Sequence, residues 1–400
     1  MQYQIPKGLF DILPYGVEHT WQLSERWQYV EQIMRKVAHD YSLKEVRTPV
    51  FERTELFQRG VGETTDIVSK EMYTFLDKAD RSMSLRPEGT ASLMRAFIEH
   101  NLANISSFHK FYYIGPMFRY ERPQAGRYRH HHQFGIEIIG NPSFEQDVET
   151  IDLLMELYRR LGLKNISLHI NSVGDFETRN NYRKALQDYI RPFLPQLSVE
   201  SQERFEKNPL RILDSKGEED IPIVAKAPSI LDFLSPTAKL HFDNVLHLLT
   251  LLSIPYTINP KLVRGLDYYT HTVFEVQGQS KGAQCALGGG GRYDNLLETF
   301  GGPNLSGVGF GTGIERILQS MDEEKISFPN INSPFVYIAP LEESAREMAI
   351  QMGFELRHHA IPTEIELQSK KIQKALQHAN KLHASFIAIL GSEEMEKKKI

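Results

Sequence analysis

The stretch FRYERPQAGRYRHHHQFGIE, residues 118–137, joins two alternating segments through a basic, glycine-bearing loop. With their flanks the segments read FHKFYYIGPMFRYE (108–121) and HQFGIEIIG (132–140), two adjacent strands that imply an antiparallel sheet. Side chains two apart on a strand share a face. Arg119 and Glu121 therefore stand with Gly115 and Met117, while Gln133, Gly135 and Glu137 form a second row. Gly135 clears room between two polar side chains separated by about 13 Å of backbone at ~3.3 Å per residue, a gap that suits a small amino acid. Glu137 is an anion in an otherwise apolar strand and is costly to bury without a donor or a cation. An imidazole N–H or a structural arginine would meet that need.

From Arg119 to His132 there are four arginines and one glutamate, a local surplus of positive charge in a chain whose net charge is −5. Such a loop suits a polyphosphate or a nucleic-acid end, with Arg122, Arg127 and Arg129 as its candidate contacts to the latter. His130, His131 and His132 do not read as a metal site, because alternation sends neighbours to opposite faces and no cysteine or spaced carboxylate completes a shell.

Two more arginines stand beside glycines far along the chain. Arg264 lies in LVRGLDYYTHTVFE (262–275) and Arg316 follows GVGFGTG (307–313). In the latter strand Gly307, Gly309, Gly311 and Gly313 leave one face bare, on which a flat ligand can lie, with Arg316 opening a helix where it reaches a terminal phosphate. Arg119, Arg264 and Arg316 thus read as three cations converging on one polyphosphate. The chain has no Gly-Lys dipeptide, hence no phosphate-binding loop of the Gly-Lys-Ser/Thr type, and no Gly-x-Gly-x-x-Gly after a strand. GGGGRYD (288–294) fits either a close approach of backbone to ligand or a simple turn.

Outward from these segments, Leu23, Trp27, Val30, Met34, Val37 and Tyr41 recur at steps of four and three, which predicts a helix over 17–41 facing a core or a second subunit. LKEVRTPVFE (43–52) is extended and carries Pro49, a residue of strand edges. Residues 175–235 are polar, charge-rich and helical, read as an insertion in the sheet domain. DEEKISFPNINSP (322–334) contains a linker, after which strand, helix, helix and strand (335–390) predict a separate α/β unit. The expected division is 1–325 with the insertion, a linker 326–333, and 334–400.

Four hundred residues exceed what one core usually supports. The single cysteine, Cys285, rules out an intrachain disulfide framework and fits a reducing compartment, so the cytoplasm is the expected location. Neither a signal peptide nor a long apolar run is present in the sequence, which predicts no membrane association.

Taken together, PKGLFDILP (6–14), RTPVFERTELFQRG (47–60), RPEGT (86–90), FRYERPQAGRYR (118–129), QFGIE (133–137), RGLDYYT (264–270), GGGGRYD and GVGFGTGIER (307–316) closely resemble class II histidyl-tRNA synthetases, in order and over nearly the whole chain. The resemblance implies an α+β fold: an antiparallel catalytic sheet with flanking helices, a helical insertion, and a C-terminal α/β anticodon-binding domain. It implies a homodimer, with L-histidine, ATP, Mg²⁺ and tRNA(His) as ligands, no metal held by protein alone, and formation of histidyl-adenylate followed by transfer to the tRNA 3′ end. By the same resemblance Glu88, Thr90 and Gln133 hold the α-amino group. Glu137 and Tyr269 read the imidazole, with Tyr268 lining that pocket. Arg119 meets the α-phosphate, Glu121 the adenine side, Arg316 the terminal phosphate, and Arg264 the carboxylate and α-phosphate. His131 and Gly311 fall in the ATP site.

Three departures stand out. His131 replaces a phenylalanine that stacks on adenine, and His271 replaces a glycine. The sequence ends at EKKKI (396–400), before the last strands and helix of such a domain, which predicts an incomplete anticodon-binding unit. The competing expectation is the regulatory subunit of ATP phosphoribosyltransferase, a paralogue that binds histidine without aminoacylation. Retention of Arg119, Arg264, Arg316 and Glu121 argues for the ligase.

Overall fold

The structure, a computed structural model, describes residues 3–62, 65–121, 126–215, 217–278, 286–329, 333–368 and 371–397. The chain separates into two compact units, Met1–Ser327 and Phe328–Ile400. Of the predicted linker, residues 330–332 lie outside the described segments, as do Arg122 and Cys285.

The first unit is built on β1 (Lys44–Glu45), β2 (Phe51–Arg53), β3 (Thr74–Leu76), β4 (Ser82–Leu85), β5 (His109–Phe118), β6 (His130–Ile139), β7 (Ile166–Ser172), β8 (Thr257–Ile258), β9 (Thr270–Gly278), β10 (Ala286–Arg292) and β11 (Gly307–Gly313). Among the described residues, eight of these form one sheet in the order β1-β5-β6-β11-β10-β9-β7-β8, and β2-β4-β3 form a second. The six inner strands pair antiparallel, as expected; β1 on β5 and β8 on β7 are parallel edge additions. LKEVRTPVFE therefore serves two sheets, with Pro49 between β1 and β2 where no ladder needs its missing N–H.

The apolar stripe predicted over 17–41 becomes the helix Ser24–Asp40. It starts later than predicted, because Leu23 is extended and a 3₁₀ turn, Thr20–Gln22, precedes it. Trp27, Val30, Met34 and Val37 are fully buried against the sheet unit, each worth roughly 1.5–3 kcal/mol relative to exposure. The helical stretch between β7 and β8 does not stand apart. Tyr182, Leu186, Ile190, Phe205 and Ile212 share one core with Tyr269 and Val273 of the sheet side. Its polar groups tie down the RGLDYYT segment: Arg211 donates to the Gly265 carbonyl (2.6 Å), Asn208 to Asp267 (2.8 Å) and Arg179 to the Tyr269 carbonyl (3.2 Å).

GGGGR is strand, and only Tyr293–Asp294 lead into a turn. These five residues belong to central strand β10, paired with β9 and β11. The reason is crowding: a Cβ on Gly289 would lie 2.7 Å from the Phe274 carbonyl oxygen and 2.8 Å from Arg264 Nη1.

The second unit is a parallel three-stranded sheet, β13 (Thr363–Ile365), β12 (Val336–Pro340) and β14 (Phe386–Leu390), with helices Arg346–His358 and Ile372–Lys381. The two predicted strands and two helices are present. β13 is the addition, three residues too short to show a period.

Candidate active site

All three arginines line one cavity of about 170 Å³. Arg119 follows β5 and donates from Nε to the Pro87 carbonyl (2.8 Å), which fixes it against the RPEGT turn. Arg264 precedes β9; its Nη1 meets the Glu275 carboxylate, and its guanidinium packs against Gly289. Arg316, in the first turn of the helix Ile314–Glu323, donates to the carbonyls of Gly126 (3.0 Å) and Ala286 (2.6 Å). Glu121, His131, Gln133, Gly311 and Gly313 complete much of the wall. Desolvation, then the charges of Arg119 and Arg316, hold His131 well below the ordinary imidazole range, so at pH 7 it is a neutral ring facing the cavity.

The β6 histidines alternate as strand parity requires. His130 stacks on Phe118 (5.0 Å between centroids) and His132 turns toward Trp27 and Glu315, away from the cavity side occupied by His131. Of the candidate RNA contacts, Arg127 pairs with Glu121 (3.0 Å) at the cavity mouth. Arg129 instead holds the N-terminal segment, donating to the Glu121 and Lys7 carbonyls and lying 4.1 Å over the Tyr120 ring. Arg122 lies outside the described residues.

A second, smaller cavity of about 80 Å³ adjoins the first through Arg119, Gln133, Arg264, Gly289 and Gly311. Glu88, Thr90, Glu137, Tyr268 and Tyr269 all face it. Glu88 is buried, and its two oxygens accept from the backbone N–H of Thr90 (2.7 Å) and Ala91 (2.9 Å), capping the helix Thr90–Glu99. Each oxygen keeps a second lone pair for a ligand. Burial pushes the Glu88 carboxyl up, against those two donations.

Glu137 finds neither an arginine nor a bare apolar wall. Thr90 Oγ1 donates to its Oε1 (2.6 Å) and the Tyr293 hydroxyl to its Oε2. Desolvation outweighs both donations and lifts its carboxyl to about 8. Tyr113, Tyr268, Tyr269 and Tyr293 are likewise pushed up by burial and remain neutral phenols. The room cleared by Gly135 is not empty: the Tyr113 ring lies over it, which moves the open volume sideways toward β11. The bare stripe of β11 is also shared out, since Gly309 and Gly311 are overlaid by Glu137 and Gln133 reaching across from β6.

Sequence reasoning missed Tyr293, Tyr113 and Glu275. Tyr113 was within reach, since it has the parity of Gly115 and Arg119. Glu275 was visible as the acidic residue of the strand that follows Arg264. Tyr293 follows a glycine run whose strand character the sequence hides. The chemistry available is clear in outline: a cationic cavity for a nucleotide polyphosphate opens into a polar, phenol-lined cavity that takes a small molecule with both donors and acceptors.

Comparison with known proteins agrees. The family profile described as histidyl-tRNA synthetase matches residues 18–317, and that of an anticodon binding domain matches residues 335–400. A histidine–tRNA ligase of Protochlamydia amoebophila is 54% identical over 400 residues, covering 100% of this chain and 94% of that one. The crystal structure of apo S. aureus histidyl-tRNA synthetase superposes with a TM-score of 0.82 at 38% identity, covering 99% of this chain and 93% of that one. A Bacillus halodurans structure titled ATP phosphoribosyltransferase regulatory subunit/histidyl-tRNA synthetase has a TM-score of 0.68 at 20% identity, covering 97% and 98%, a likeness of fold alone.

Proposed function

The chain belongs to the histidyl-tRNA synthetase family, and from that premise we propose how its residues divide the work of a class II histidine–tRNA ligase. The protein is an aminoacyl-tRNA ligase: it activates histidine with ATP, releasing pyrophosphate, and passes the histidyl group to tRNA. The larger cavity takes ATP and the smaller takes histidine. The observation that carries this reading is that the two meet at Arg119 and Arg264, where a carboxylate from one side confronts an α-phosphate from the other.

In the first step a histidine carboxylate oxygen attacks the α-phosphorus in line and pyrophosphate leaves. Arg119 and Arg264 stabilise charge developing on the α-phosphate oxygens, and Arg316 holds the terminal phosphate. Their seats on carbonyl oxygens and on Glu275 place them before substrate arrives, so little reorganisation remains at the moment of reaction. Glu121 faces the adenine side and the neutral His131 ring offers it a stacking surface. Glu88, Thr90 and Gln133 hold the α-amino group, and Glu137 with Tyr269 pairs with the imidazole. A ring lacking that N–H leaves buried groups unpaired, which is the basis of selectivity. In the second step a tRNA ribose hydroxyl attacks the histidyl carbonyl carbon and AMP departs.

Glu315 fits the Mg²⁺ that accompanies ATP: it borders the ATP cavity, and its buried Oε2 has no hydrogen-bond donor. Bound there, the ion would neutralise phosphate charge. Exposed Val50, Phe51, Phe75 and Leu76 around the small sheet support a homodimer through that face. Among the described residues no helix is long and apolar enough to cross a membrane, and a cytoplasmic location accords with this.

The test is histidine-dependent exchange of pyrophosphate into ATP. Arg264→Ala is expected to lower exchange at least 100-fold while histidine affinity changes a few-fold. Histidine binding by the unsubstituted protein with no exchange would instead support a regulatory subunit.

A further inference from the structure

Strand parity sends Gly289 and Gly291 toward Arg264 and Tyr269, and Gly288 and Arg292 to the opposite face of β10, where Gly288 meets Tyr158 of the helix Phe144–Arg160. On that face lies a buried polar cluster that the chemistry above does not use. Its centre is Asp147, in the first turn of the same helix and fully buried. Arg292 donates to Asp147 Oδ1 from Nε (2.9 Å) and Nη2. Oδ2 accepts from the Thr272 hydroxyl (2.7 Å) and from Nε2 of His241, on the helix Pro236–Leu251 (2.6 Å). Arg292 is 1% exposed and directs its remaining N–H groups to the Ser143 carbonyl (2.8 Å), Asp294 Oδ1 (3.2 Å) and the Asn141 carbonyl (3.4 Å). Burial works against the Asp147 charge, but Arg292 and His241 more than offset it and hold the carboxyl below the ordinary carboxylate range.

The place of this carboxylate matters because of what β9 does beside it. Gly291 pairs with Val273, but the next residue, Arg292, pairs with Thr270, so His271 and Thr272 form a bulge. His271 takes the left-handed conformation there, with φ +46. A bulge re-aims the side chains that flank it. On one flank is Tyr269, directly before Thr270; across the ladder, Arg292 is followed by Tyr293, whose hydroxyl donates to Glu137. The two tyrosines are also tied through their next neighbours, since the Asp294 N–H donates to Thr270 Oγ1 (3.2 Å). Asp147 holds the bulge through Thr272 and the facing strand through Arg292, so one buried charge fixes the spacing of both.

We infer that Asp147, with Arg292, Thr272 and His241, is a positioning cluster for imidazole recognition, aiming Tyr269 and Tyr293 into the smaller cavity from behind the sheet without touching the substrate. The inference rests on the reading of that cavity as the histidine site. A purely structural cluster would support stability and leave the pocket's preferences alone. A positioning cluster also sets discrimination, because selection for a ring N–H works only while its buried partners are aimed at it.

Asp147→Asn would leave Arg292 an unpaired buried charge, so the test removes one donor at a time, with Thr272→Val and His241→Leu, and retains one with Thr272→Ser and His241→Gln. Calorimetry on the full chain gives affinities for histidine, for ATP, and for an analogue whose thiazole replaces the imidazole and has no ring N–H. Thr272→Val and His241→Leu are each expected to weaken histidine at least fivefold and to narrow its advantage over the analogue by as much, with ATP affinity within twofold. Thr272→Ser and His241→Gln are expected to stay within twofold of the unsubstituted protein throughout. Ile151→Val, a fully buried apolar change in the same helix as Asp147, is the control and is expected to lower Tm with all three affinities unchanged. Unchanged histidine affinity in whichever donor-less variant folds overturns the inference. So does a loss shared equally by histidine and its analogue, or the same loss in Ile151→Val. Unfolding of both donor-less variants would make the cluster part of the core alone and overturn it too. These affinities need no turnover, so absence of pyrophosphate exchange in the unsubstituted protein would count against the ligase reading alone, and absence of histidine binding against both.

Discussion

Replacing Gly289 by alanine tests whether the seating of Arg264 on β10 matters for chemistry. The added Cβ would lie 2.7 Å from the Phe274 carbonyl oxygen, 2.8 Å from Arg264 Nη1 and 2.9 Å from its Cζ. The carbonyl belongs to a sheet ladder and gives little, so the guanidinium must rise by roughly half an ångström or more to regain van der Waals contact. Overpacking of this kind costs about 1–3 kcal/mol of stability. Its catalytic cost is larger, since a misplacement of ~1 Å can cost ~100-fold when a group is aimed at a developing charge. Gly289→Ala is therefore expected to cut histidine-dependent pyrophosphate exchange by about 10- to 100-fold, mainly in kcat, with a fall of a few degrees in Tm. Gly278→Ala is the control: its Cβ would meet ordinary neighbours at 3.5–3.6 Å, outside the two cavities, and exchange is expected to be unchanged. Were Gly289→Ala to fold with exchange within twofold of normal, the argument that a bare backbone seats the arginine would be wrong.

Two further outcomes follow from buried groups. Glu137 is lifted from an ordinary 4.5 to about 8 by burial, so the folded protein keeps a proton that the unfolded chain has lost; its stabilising contribution is complete below pH 4.5 and is lost as pH rises to about 8. Tm is expected to decline over that window and flatten above it, and Glu137→Gln should remove the decline; a slope unchanged in the variant would assign it to other groups. His271 has φ +46, a left-handed conformation that costs a non-glycine residue roughly 1 kcal/mol, and its buried Nδ1 has no hydrogen-bond partner. His271→Gly is expected to leave stability equal or up to about 1 kcal/mol higher by urea unfolding; a loss above that size would mean the ring's packing outweighs its strain.

The sequence carried the site further than it carried the strands. Arg119, Gln133 and Glu137 could be placed by parity alone, because strand alternation is a local rule. Arg264 and Arg316 were joined to them by the glycines beside each, which suggested one shared ligand, and the separate roles of the three came only with the family resemblance. β10 was illegible for a physical reason: its glycines exist to admit Arg264, the Phe274 carbonyl and the backbone of β11, and a run of four glycines has no pattern to read. The Tyr293 donor to Glu137 was illegible likewise, because it reaches Glu137 across β11 rather than along its own strand.

The place of β11 between β6 and β10 bears on how the protein is made. β6 ends at Ile139, but its neighbour begins only at Gly307. At roughly 5–20 residues per second, a nascent chain waits about 8–35 s with that edge open, and an open edge is a template for pairing with any passing strand. A ribosome that stalls before Gly313 thus leaves the most vulnerable form of this polypeptide, and chaperone protection should be needed most over that interval.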